Sequence, residues 1–136
     1  MSARNYVTED PDSNLQVSNP TISGIGYNKK ESAMFPVETI SAKMLDYYVD
    51  RRDSLIIDLR EREEFNKSHV RGAVNIPYEE ADSYALFPKD KILVMYCDRG
   101  GASLRLARQL ARKGHRTRSV IGGFEAYRGR NLVIFS

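Results

Sequence analysis

The single cysteine of the chain lies in a stretch whose residue types could support nucleophilic chemistry. Cys97 follows the apolar run KILVMY and precedes two glycines and a helix-forming segment, in VMYCDRGGAS. This order predicts a buried strand, a short loop and a helix, with the thiol at the edge of the sheet where ligands collect. Gly100 and Gly101 allow the tight curvature that turns successive backbone N–H groups inward.

Unpaired N–H groups and the positive end of the helix dipole favour negative charge at this place. Such surroundings lower the pKa of a thiol from about 8.5 to between about 3.5 and 7.5. The amides of residues 98–103 would then form a cradle for an anion attached to the sulfur. The alternative for a single cysteine is an inert, buried side chain, but the glycines, Arg99 and the strand-to-helix position argue against it.

Spacing argues against several other chemistries. An NTPase phosphate loop needs a lysine and a hydroxyl residue after its second glycine, where this chain has Ala102. A cysteine-dependent phosphatase needs an arginine six residues after the nucleophile, where this chain has Ser103. His115 lies at the far end of the helix from the thiol, and His69 comes with no oxyanion-hole sequence. With one cysteine and two histidines, neither a disulfide framework nor a metal site is expected.

Apolar patterning places this loop in an alternation of strands and helices. The predicted strands are PVETI, SLIID, AVNIP, KILVMY and TRSVI. The predicted helices are AKMLDYYVDRR after Ser41, REREEF, YEEADSYALF and residues 103–113. On the first of these helices, one face carries Met44, Leu45, Tyr48 and Val49. On the last, the inward side chains are Leu106, Ala107, Leu110 and Ala111, and Gly114 is the predicted stop. GGFEAYRG is predicted to form a closing turn and helix. This alternation predicts an α/β domain with a mostly parallel sheet.

Length and composition fit one globular domain, with 136 residues, 41% of them apolar and 29% charged. Residues 1–33 are polar and aperiodic and are predicted to be an irregular extension, followed by the domain at 34–130 and a tail at 131–136. The tail is apolar, so it either packs on the domain or belongs to a longer protein. Without a span of ~20 apolar residues or a secretory signal, we expect a cytoplasmic protein with no membrane partner.

Basic residues are concentrated around the cysteine. Residues 97–116 carry six basic side chains and one acidic side chain, Asp98, in a chain of formal net charge +3. This favours an anionic ligand or an acidic partner, although for Arg105, Arg108 and Arg112 a solvated helix face is the preferred explanation. No aromatic residues interleave with these arginines, so a nucleic-acid partner is not expected.

Together these motifs resemble the rhodanese-like family of sulfurtransferases. The resemblance covers about residues 36–129 and rests on TIS, LIIDLREREEFNKSHVRGAVNIP, VMYCDRG and VIGGFEAYRG, in matching order and spacing. It implies a rhodanese-like fold, with a five-stranded, mostly parallel sheet and helices on both faces, and no cofactor. It also implies that the cysteine takes a sulfane sulfur from a donor, becomes a persulfide and passes the sulfur to a nucleophile.

The resemblance also implies roles for single residues. Cys97 would be the nucleophile and sulfur carrier, and the anion cradle would comprise Asp98, Arg99, Gly100, Gly101, Ala102 and Ser103. Arg99 is the candidate for donor recognition, and Ser103 either caps the helix or adds a hydroxyl. Asp58 and Arg60 would support the neighbouring loops or line the pocket. Tyr127 stands where the family often has tryptophan, and it is assigned a supporting role.

Two loop positions depart from the family's pattern. Relatives that use thiosulfate often carry a basic residue at the second or sixth position, where this chain has Asp98 and Ala102. A carboxylate beside the nucleophile repels a small dianion, so a small-molecule or protein persulfide is expected to be a better donor than thiosulfate. The expected acceptor is a thiol or a cyanide-like nucleophile.

Two other functions stay open at this point. The first is a catalytically silent interaction module of the same fold, which the intact thiol argues against. The second is a phosphatase- or arsenate-reductase-like enzyme, which the missing arginine at position 103 argues against.

Overall fold

The computed structural model describes residues 37–81 and 87–135. The predicted irregular extension at 1–33 lies outside the described residues, as do residues 82–86 of one predicted helix. The strands are β1 (Val37–Ile40), β2 (Ser54–Asp58), β3 (Ser68–Val70), β4 (Val74–Asn75), β5 (Ile92–Tyr96), β6 (Arg116–Val120) and β7 (Leu132–Ile134). The α-helices are α1 (Leu45–Tyr48), α2 (Arg62–Lys67) and α3 (Gly101–Arg112), and single 3-10 turns span Ala42–Met44, Tyr78–Glu80 and Phe124–Ala126.

Five strands form one parallel sheet in the order β1-β6-β5-β2-β4. The predicted α/β architecture with a five-stranded sheet is therefore confirmed. In β5, the residues from Leu93 to Tyr96 are all buried, because helices and loops cover both faces of a parallel sheet. The carboxyl end of β5 lies at the middle of the sheet edge, and the next residue is Cys97.

Side chains that alternate along β2 and β5 pack into two hydrophobic clusters, one on each face of the sheet. The first cluster joins Ile56 and Val94 to the first helical segment, and the second joins Ile57 and Met95 to α3. Cys97 belongs to the second cluster. The sulfur therefore lies on the face of the sheet that α3 covers.

Helix α3 has the buried face that the sequence predicts. Its inward side chains include Leu106, Ala107, Leu110 and Ala111, and Gly114 ends the helical stretch with a φ of +99°. The helix begins at Gly101, two residues earlier than predicted, so it follows the cysteine loop with no further linker. No helix in the described residues is long and apolar enough to cross a membrane.

The first helical segment differs from its predicted phase. The sequence predicts Met44 on the buried face with Leu45 and Tyr48, but Met44 is 42% exposed and Ala42 is buried instead. The segment opens with a 3-10 turn at Ala42, in which side chains three residues apart lie on the same side. That spacing turns Met44 outward. Ser41 precedes the turn, as predicted, but its side chain makes no capping hydrogen bond.

The sequence does not predict the second sheet, in which β3 and β7 pair antiparallel. Because β7 lies in the segment 131–136, the backbone of the apolar tail pairs with the domain, while the side chains of Leu132, Ile134 and Phe135 stay exposed. In the described part of the predicted helix YEEADSYALF, only a 3-10 turn at Tyr78–Glu80 occurs. The predicted closing helix is likewise a 3-10 turn, at Phe124–Ala126.

A polar cluster fastens the chain before β7 to helix α1. The Tyr127 hydroxyl and Asn131 Nδ2 both donate to Asp46 Oδ1, at 2.5 and 2.9 Å. Partial burial works to raise the pKa of the Asp46 carboxyl, but these hydrogen bonds outweigh it and hold that pKa below its usual value. Burial and the nearby Asp46 raise the pKa of Tyr127 to about 12, so its hydroxyl remains a donor. The cluster is thus most stable with Asp46 charged.

Tyr127→Phe is expected to lower the free energy of unfolding by about 1–2 kcal/mol at neutral pH, because it removes a hydrogen bond to a carboxylate. The pKa of Asp46 is lower in the folded than in the unfolded chain, so its contribution is complete above the unfolded value of about 4. That contribution disappears as the pH falls through the folded value. Urea unfolding at neutral pH and at about pH 2.5 measures the difference, which should shrink in acid.

Tyr47→Phe is the control for this prediction, because Tyr47 is an exposed tyrosine in the same helix. It should change stability little at either pH. A Tyr127→Phe effect of the same size at both pH values would contradict the assignment to Asp46.

Candidate active site

Cys97 lies directly after β5, and only 7% of the residue is exposed. Beside it is an open depression of about 420 Å³ at the carboxyl edge of the sheet. The depression is lined by Cys97, Asp98, Arg99, Gly101, Ala102 and Glu125. The structure therefore brings most of the predicted loop residues to one surface, around a largely buried cysteine.

Two backbone N–H groups of the loop donate to the sulfur. Gly100 N lies 3.1 Å and Ser103 N lies 3.4 Å from Cys97 Sγ. Gly100 precedes α3 with a φ of +110°, a left-handed conformation that glycine adopts readily. Because the chain turns there, the N–H groups of the N-cap residue and of the third helical residue face the thiol, and the amide of Ser103 has no partner within the helix. Of the predicted cradle, these two amides contact the sulfur.

Ser103 does not cap the helix, so the capping interpretation of this residue is wrong. The N-cap position belongs to Gly100, because α3 begins two residues earlier than predicted and Ser103 is its third residue. The Ser103 hydroxyl is fully buried and donates to the Gly100 carbonyl at 3.1 Å. It also lies 2.9 Å from Ser119 Oγ and 3.7 Å from Cys97 Sγ. The other interpretation, a hydroxyl added to the loop, describes this geometry.

The turn after β6 binds the backbone of the cysteine loop through hydrogen bonds. Phe124 N donates to the Cys97 carbonyl at 2.8 Å, and Glu125 N donates to the Asp98 carbonyl at 3.1 Å. The C=O and N–H groups of a trans peptide point in opposite directions. The N–H groups that follow these two carbonyls therefore point away from the turn.

Gly123 allows this close approach. A Cβ atom at position 123 would come within 2.6 Å of Cys97 and Asp98 backbone atoms, and Gly123 has a φ of +62°. Gly100 is also close to the turn, because a Cβ on it would lie 3.2 Å from Gly122 N. The two glycines in VIGGFEAYRG are the sequence signal for this contact, which spacing alone could not locate.

Asp58 and Arg60 form a buried ion pair at the end of β2, beside the end of β5. Arg60 Nη2 lies 2.8 Å from Asp58 Oδ2, and Arg60 Nε lies 3.0 Å from Asp58 Oδ1. Burial works to lower the pKa of Arg60, but hydrogen bonds and charge from Asp58 outweigh it and raise that pKa. The guanidinium also lies 3.9 Å from the centre of the Phe124 ring and donates to the Ser68 carbonyl.

Neither member of this pair is among the residues that line the depression. Of the two roles open for them, the geometry favours the supporting one. Arg60 holds the ring of Phe124, whose backbone amide binds the carbonyl of Cys97.

The rim of the depression carries charges of both signs. Arg99 Nε lies 3.3 Å from Glu125 Oε2, and both side chains are mostly exposed. Asp98 is exposed beside them. Sequence reasoning singled out Arg99 and Asp98 but missed Glu125, because only the turn that holds the loop brings it there.

Three other residues that the sequence singled out lie away from the depression. Tyr127 packs in the hydrophobic cluster on the opposite face of the sheet from Cys97, so it supports the fold there and does not line the site. His69 stacks on Phe65, with its Nδ1 atom 2.8 Å from the Phe65 carbonyl. His115 is buried beside Pro88. Neither histidine is among the residues that line the depression, so a Cys–His pair finds no support.

A model of the rhodanese-like domain family matches residues 41–130. A tRNA sulfurtransferase from Desulfurococcus amylolyticus is 41% identical over 76 residues, which make up 56% of this chain but only 15% of that protein. This chain therefore corresponds to only a small part of that relative. The word tRNA in the relative's name describes the relative and is not carried over to this chain. The thiosulfate sulfurtransferase GlpE of Coxiella burnetii is 28% identical over 85 residues, 61% of this chain and 79% of that protein.

A solved structure is similar over most of the domain. The crystal structure of a rhodanese-like domain protein from Staphylococcus aureus matches with a TM-score of 0.63 and 26% identity, covering 73% of this chain and 99% of that chain. The fold and the sequence comparisons thus agree.

Gly123→Ala is expected to displace the cysteine loop, because the new methyl group would overlap the carbonyls of Cys97 and Asp98. Gly123 has a ψ of −156°, and a side chain in this part of backbone space costs about 1–3 kcal/mol of strain. The overlap should add about 1–3 kcal/mol. Urea unfolding measures the loss of stability. The amide NMR shifts of Gly100 and Ser103 measure the displacement.

Gly72→Ala is the matched control, because Gly72 also has a positive φ, +86°, but no atom lies within 4 Å of the added Cβ. Gly72→Ala should lower the free energy of unfolding by the backbone strain alone, and it should leave the amide NMR shifts of Gly100 and Ser103 unchanged. Equal losses of stability in the two variants would show that Gly123 does not position the loop.

Proposed function

Since the chain belongs to the rhodanese-like domain family, we propose that it is a sulfurtransferase that carries a sulfane sulfur on Cys97 as a persulfide. The observation that supports this most directly is the pair of N–H groups, from Gly100 and Ser103, that donate to Cys97 Sγ. Hydrogen bonds to an ionised acceptor are about twice as strong as neutral ones. Both a thiolate and a persulfide anion would gain from these donors.

The proposed reaction has two steps. The Cys97 thiolate attacks the outer sulfur of the donor, the S–S bond of the donor breaks, and the leaving group keeps the electron pair. The leaving group is sulfite from thiosulfate or a thiolate from a persulfide. The Cys97 persulfide then gives its outer sulfur to a nucleophile, which forms a new persulfide from a thiol or thiocyanate from cyanide. The Cys97 thiolate is regenerated, so the cycle consumes no oxidant or reductant.

The surroundings of the sulfur suit this chemistry better than phosphoryl transfer. A phosphate group needs a cation or several donors around its oxygens, but position 103 holds a buried serine instead of an arginine. Cys97 is 7% exposed and lines the depression. A free thiol is also needed, which a reducing compartment such as the cytoplasm maintains.

Incubation with a persulfide donor is expected to add one sulfur atom, about 32 Da, to the intact wild-type protein. Cys97→Ser should show no such addition, because it removes the nucleophile. Mass spectrometry of the intact protein measures the adduct, and circular dichroism establishes that the variant is folded. Wild-type protein that stays unmodified with every donor would overturn the proposal in favour of a silent interaction module.

The rim of the depression favours a persulfide over thiosulfate as the donor. Asp98 and Glu125 both line it, and Glu125 lies against Arg99, so the positive charge is largely offset. A dianion is repelled by a carboxylate close to its path. A donor such as cysteine persulfide is repelled less, because its ammonium group offsets its carboxylate and only the single charge of the persulfide remains. The Coxiella relative is named for thiosulfate, and in this chain we expect Asp98 to weaken that preference.

Asp98→Asn is expected to raise kcat/KM for thiosulfate by about five- to tenfold, because removing one charge near a dianion is worth about 1 kcal/mol. It should change kcat/KM for cysteine persulfide much less. Steady-state kinetics with the two donors and cyanide as acceptor measure the ratio. Asp90→Asn is the control, since Asp90 is exposed just before the opposite end of β5. If wild type already prefers thiosulfate, this account of the donor is wrong.

A further inference from the structure

Two buried serine hydroxyls lie near the sulfur, and neither serine is among the residues that line the depression. Ser103 on α3 is fully buried, and Ser119 on β6 is 2% exposed. Their Oγ atoms lie 2.9 Å apart, and Ser103 Oγ lies 3.7 Å from Cys97 Sγ. The three groups therefore form a short chain, Cys97–Ser103–Ser119.

With Cys97 protonated, every hydrogen of this chain has an acceptor. The S–H group donates to Ser103 Oγ, and the Ser103 hydroxyl donates to the Gly100 carbonyl at 3.1 Å. The Ser119 hydroxyl then donates to Ser103 Oγ, since a hydroxyl oxygen has two lone pairs and one hydrogen. In this state Ser103 accepts from both of its neighbours.

Loss of the thiol proton leaves Ser103 Oγ with a free lone pair and Sγ with a negative charge. We propose that the Ser103 hydroxyl then turns to donate to the sulfur, and that Ser119 is a positioning residue that holds Ser103 Oγ in place by donating to it in both states. The hydrogen bond between Cys97 and Ser103 thus reverses direction when the thiolate forms. A donor that is itself a hydrogen-bond acceptor is a stronger donor, so Ser119 reinforces the bond to the thiolate.

The rotation leaves no polar group without a partner. The Gly100 carbonyl that Ser103 releases still accepts from Leu104 N at 3.2 Å, in the first turn of α3. An unpaired buried carbonyl would be costly. Every polar group of the chain therefore has a partner in both orientations of the Ser103 hydroxyl, and the change of orientation needs no movement of the backbone.

The charged groups around the sulfur are the same in both arrangements. Asp98, Arg99 and Glu125 face it from the rim, and Arg105 extends back along α3 to within contact of position 101. The Asp58–Arg60 pair lies at the end of the neighbouring strand. Removing a serine hydroxyl changes none of these charges, so its effect on the thiolate can be read separately from theirs.

This inference concerns the same sulfur as the proposed function, but its test does not need sulfur transfer. The rate of alkylation of Cys97 by iodoacetamide rises with pH as the thiolate forms, and Cys97 is the chain's single cysteine. If alkylation depends on the serines and no persulfide forms, only the sulfurtransferase proposal fails. If a persulfide forms but the alkylation rate is the same without the serine hydroxyls, only this inference fails.

Ser103→Ala is expected to move the midpoint of the alkylation pH profile up by about one unit, because a hydrogen bond to the thiolate is lost. Ser119→Ala should move it up by a few tenths of a unit. The double variant should match Ser103→Ala alone, since Ser119 acts through Ser103. Ultraviolet absorbance of the thiolate, measured across the same pH range, gives the midpoints independently of alkylation.

Thr117→Val is the matched control for Ser119→Ala. Thr117 lies two residues earlier on β6, is fully buried, and donates through its hydroxyl to the Ala107 carbonyl instead of towards the sulfur. It should leave the midpoint unchanged, and Ser103→Thr, which keeps a hydroxyl, should stay near the wild-type value. A Ser119→Ala shift no larger than that of Thr117→Val would overturn the inference. So would a double variant whose shift is the sum of the two single shifts.

Discussion

The turn after β6 positions the cysteine loop through two hydrogen bonds to backbone carbonyl groups of the loop. The amides of Phe124 and Glu125 bind the carbonyls of Cys97 and Asp98, and this is possible because Gly123 has no side chain to keep the backbones apart. A peptide whose carbonyl is held has its N–H direction fixed as well. These two hydrogen bonds restrain the first two peptides of the loop, and the donors to the sulfur, Gly100 N and Ser103 N, follow directly after this restrained start. Donors that are in place before charge develops stabilise it at little cost.

The buried Asp58–Arg60 pair extends this restraint to the neighbouring strand. A buried ion pair gains little net stability, because both charges lose their hydration. Its geometry is nevertheless specific: the guanidinium is bound to a carboxylate on one side and covers the ring of Phe124 on the other. The pair thus connects the end of β2 to the turn that holds Cys97. The main effect of the ion pair is therefore to position Phe124, and its contribution to the free energy of unfolding is small.

The sequence predicted the parts of this structure that depend on local pattern. The sheet, the buried face of α3 and the position of Cys97 after β5 follow from apolar runs, helical spacing and glycines, each of which is a short-range signal. Met44 was placed on the wrong side because a 3-10 turn changes the spacing of inward residues from 3.6 to 3. Helix α3 starts at Gly101 because glycine at position 100 can end the loop, and that shift moved Ser103 from a cap to the helix interior.

Contacts between distant residues could not be predicted in the same way. Glu125 reaches the rim through the pairing of two loops, and Ser119 meets Ser103 only through the packing of α3 on β6. The β3–β7 pair joins segments some sixty residues apart, as its partners His69 and Val133 show. Nothing in the local sequence of either strand specifies the other, since β3 follows α2 directly and has only three residues.

The depth of the sulfur imposes its own requirement on a donor. Cys97 is 7% exposed, yet it lines an open depression. Under the proposed function, a donor whose reactive sulfur is a terminal atom therefore suits this site best. A sulfane sulfur at the end of a persulfide or of thiosulfate is such an atom. A carbonyl carbon or phosphorus atom is surrounded by substituents and would have to enter the loop with them. Under the proposed function, the charges on the rim and the low exposure of Cys97 therefore act in sequence. The charges on the rim discriminate among donors as they approach, and the low exposure of Cys97 then favours a terminal sulfur.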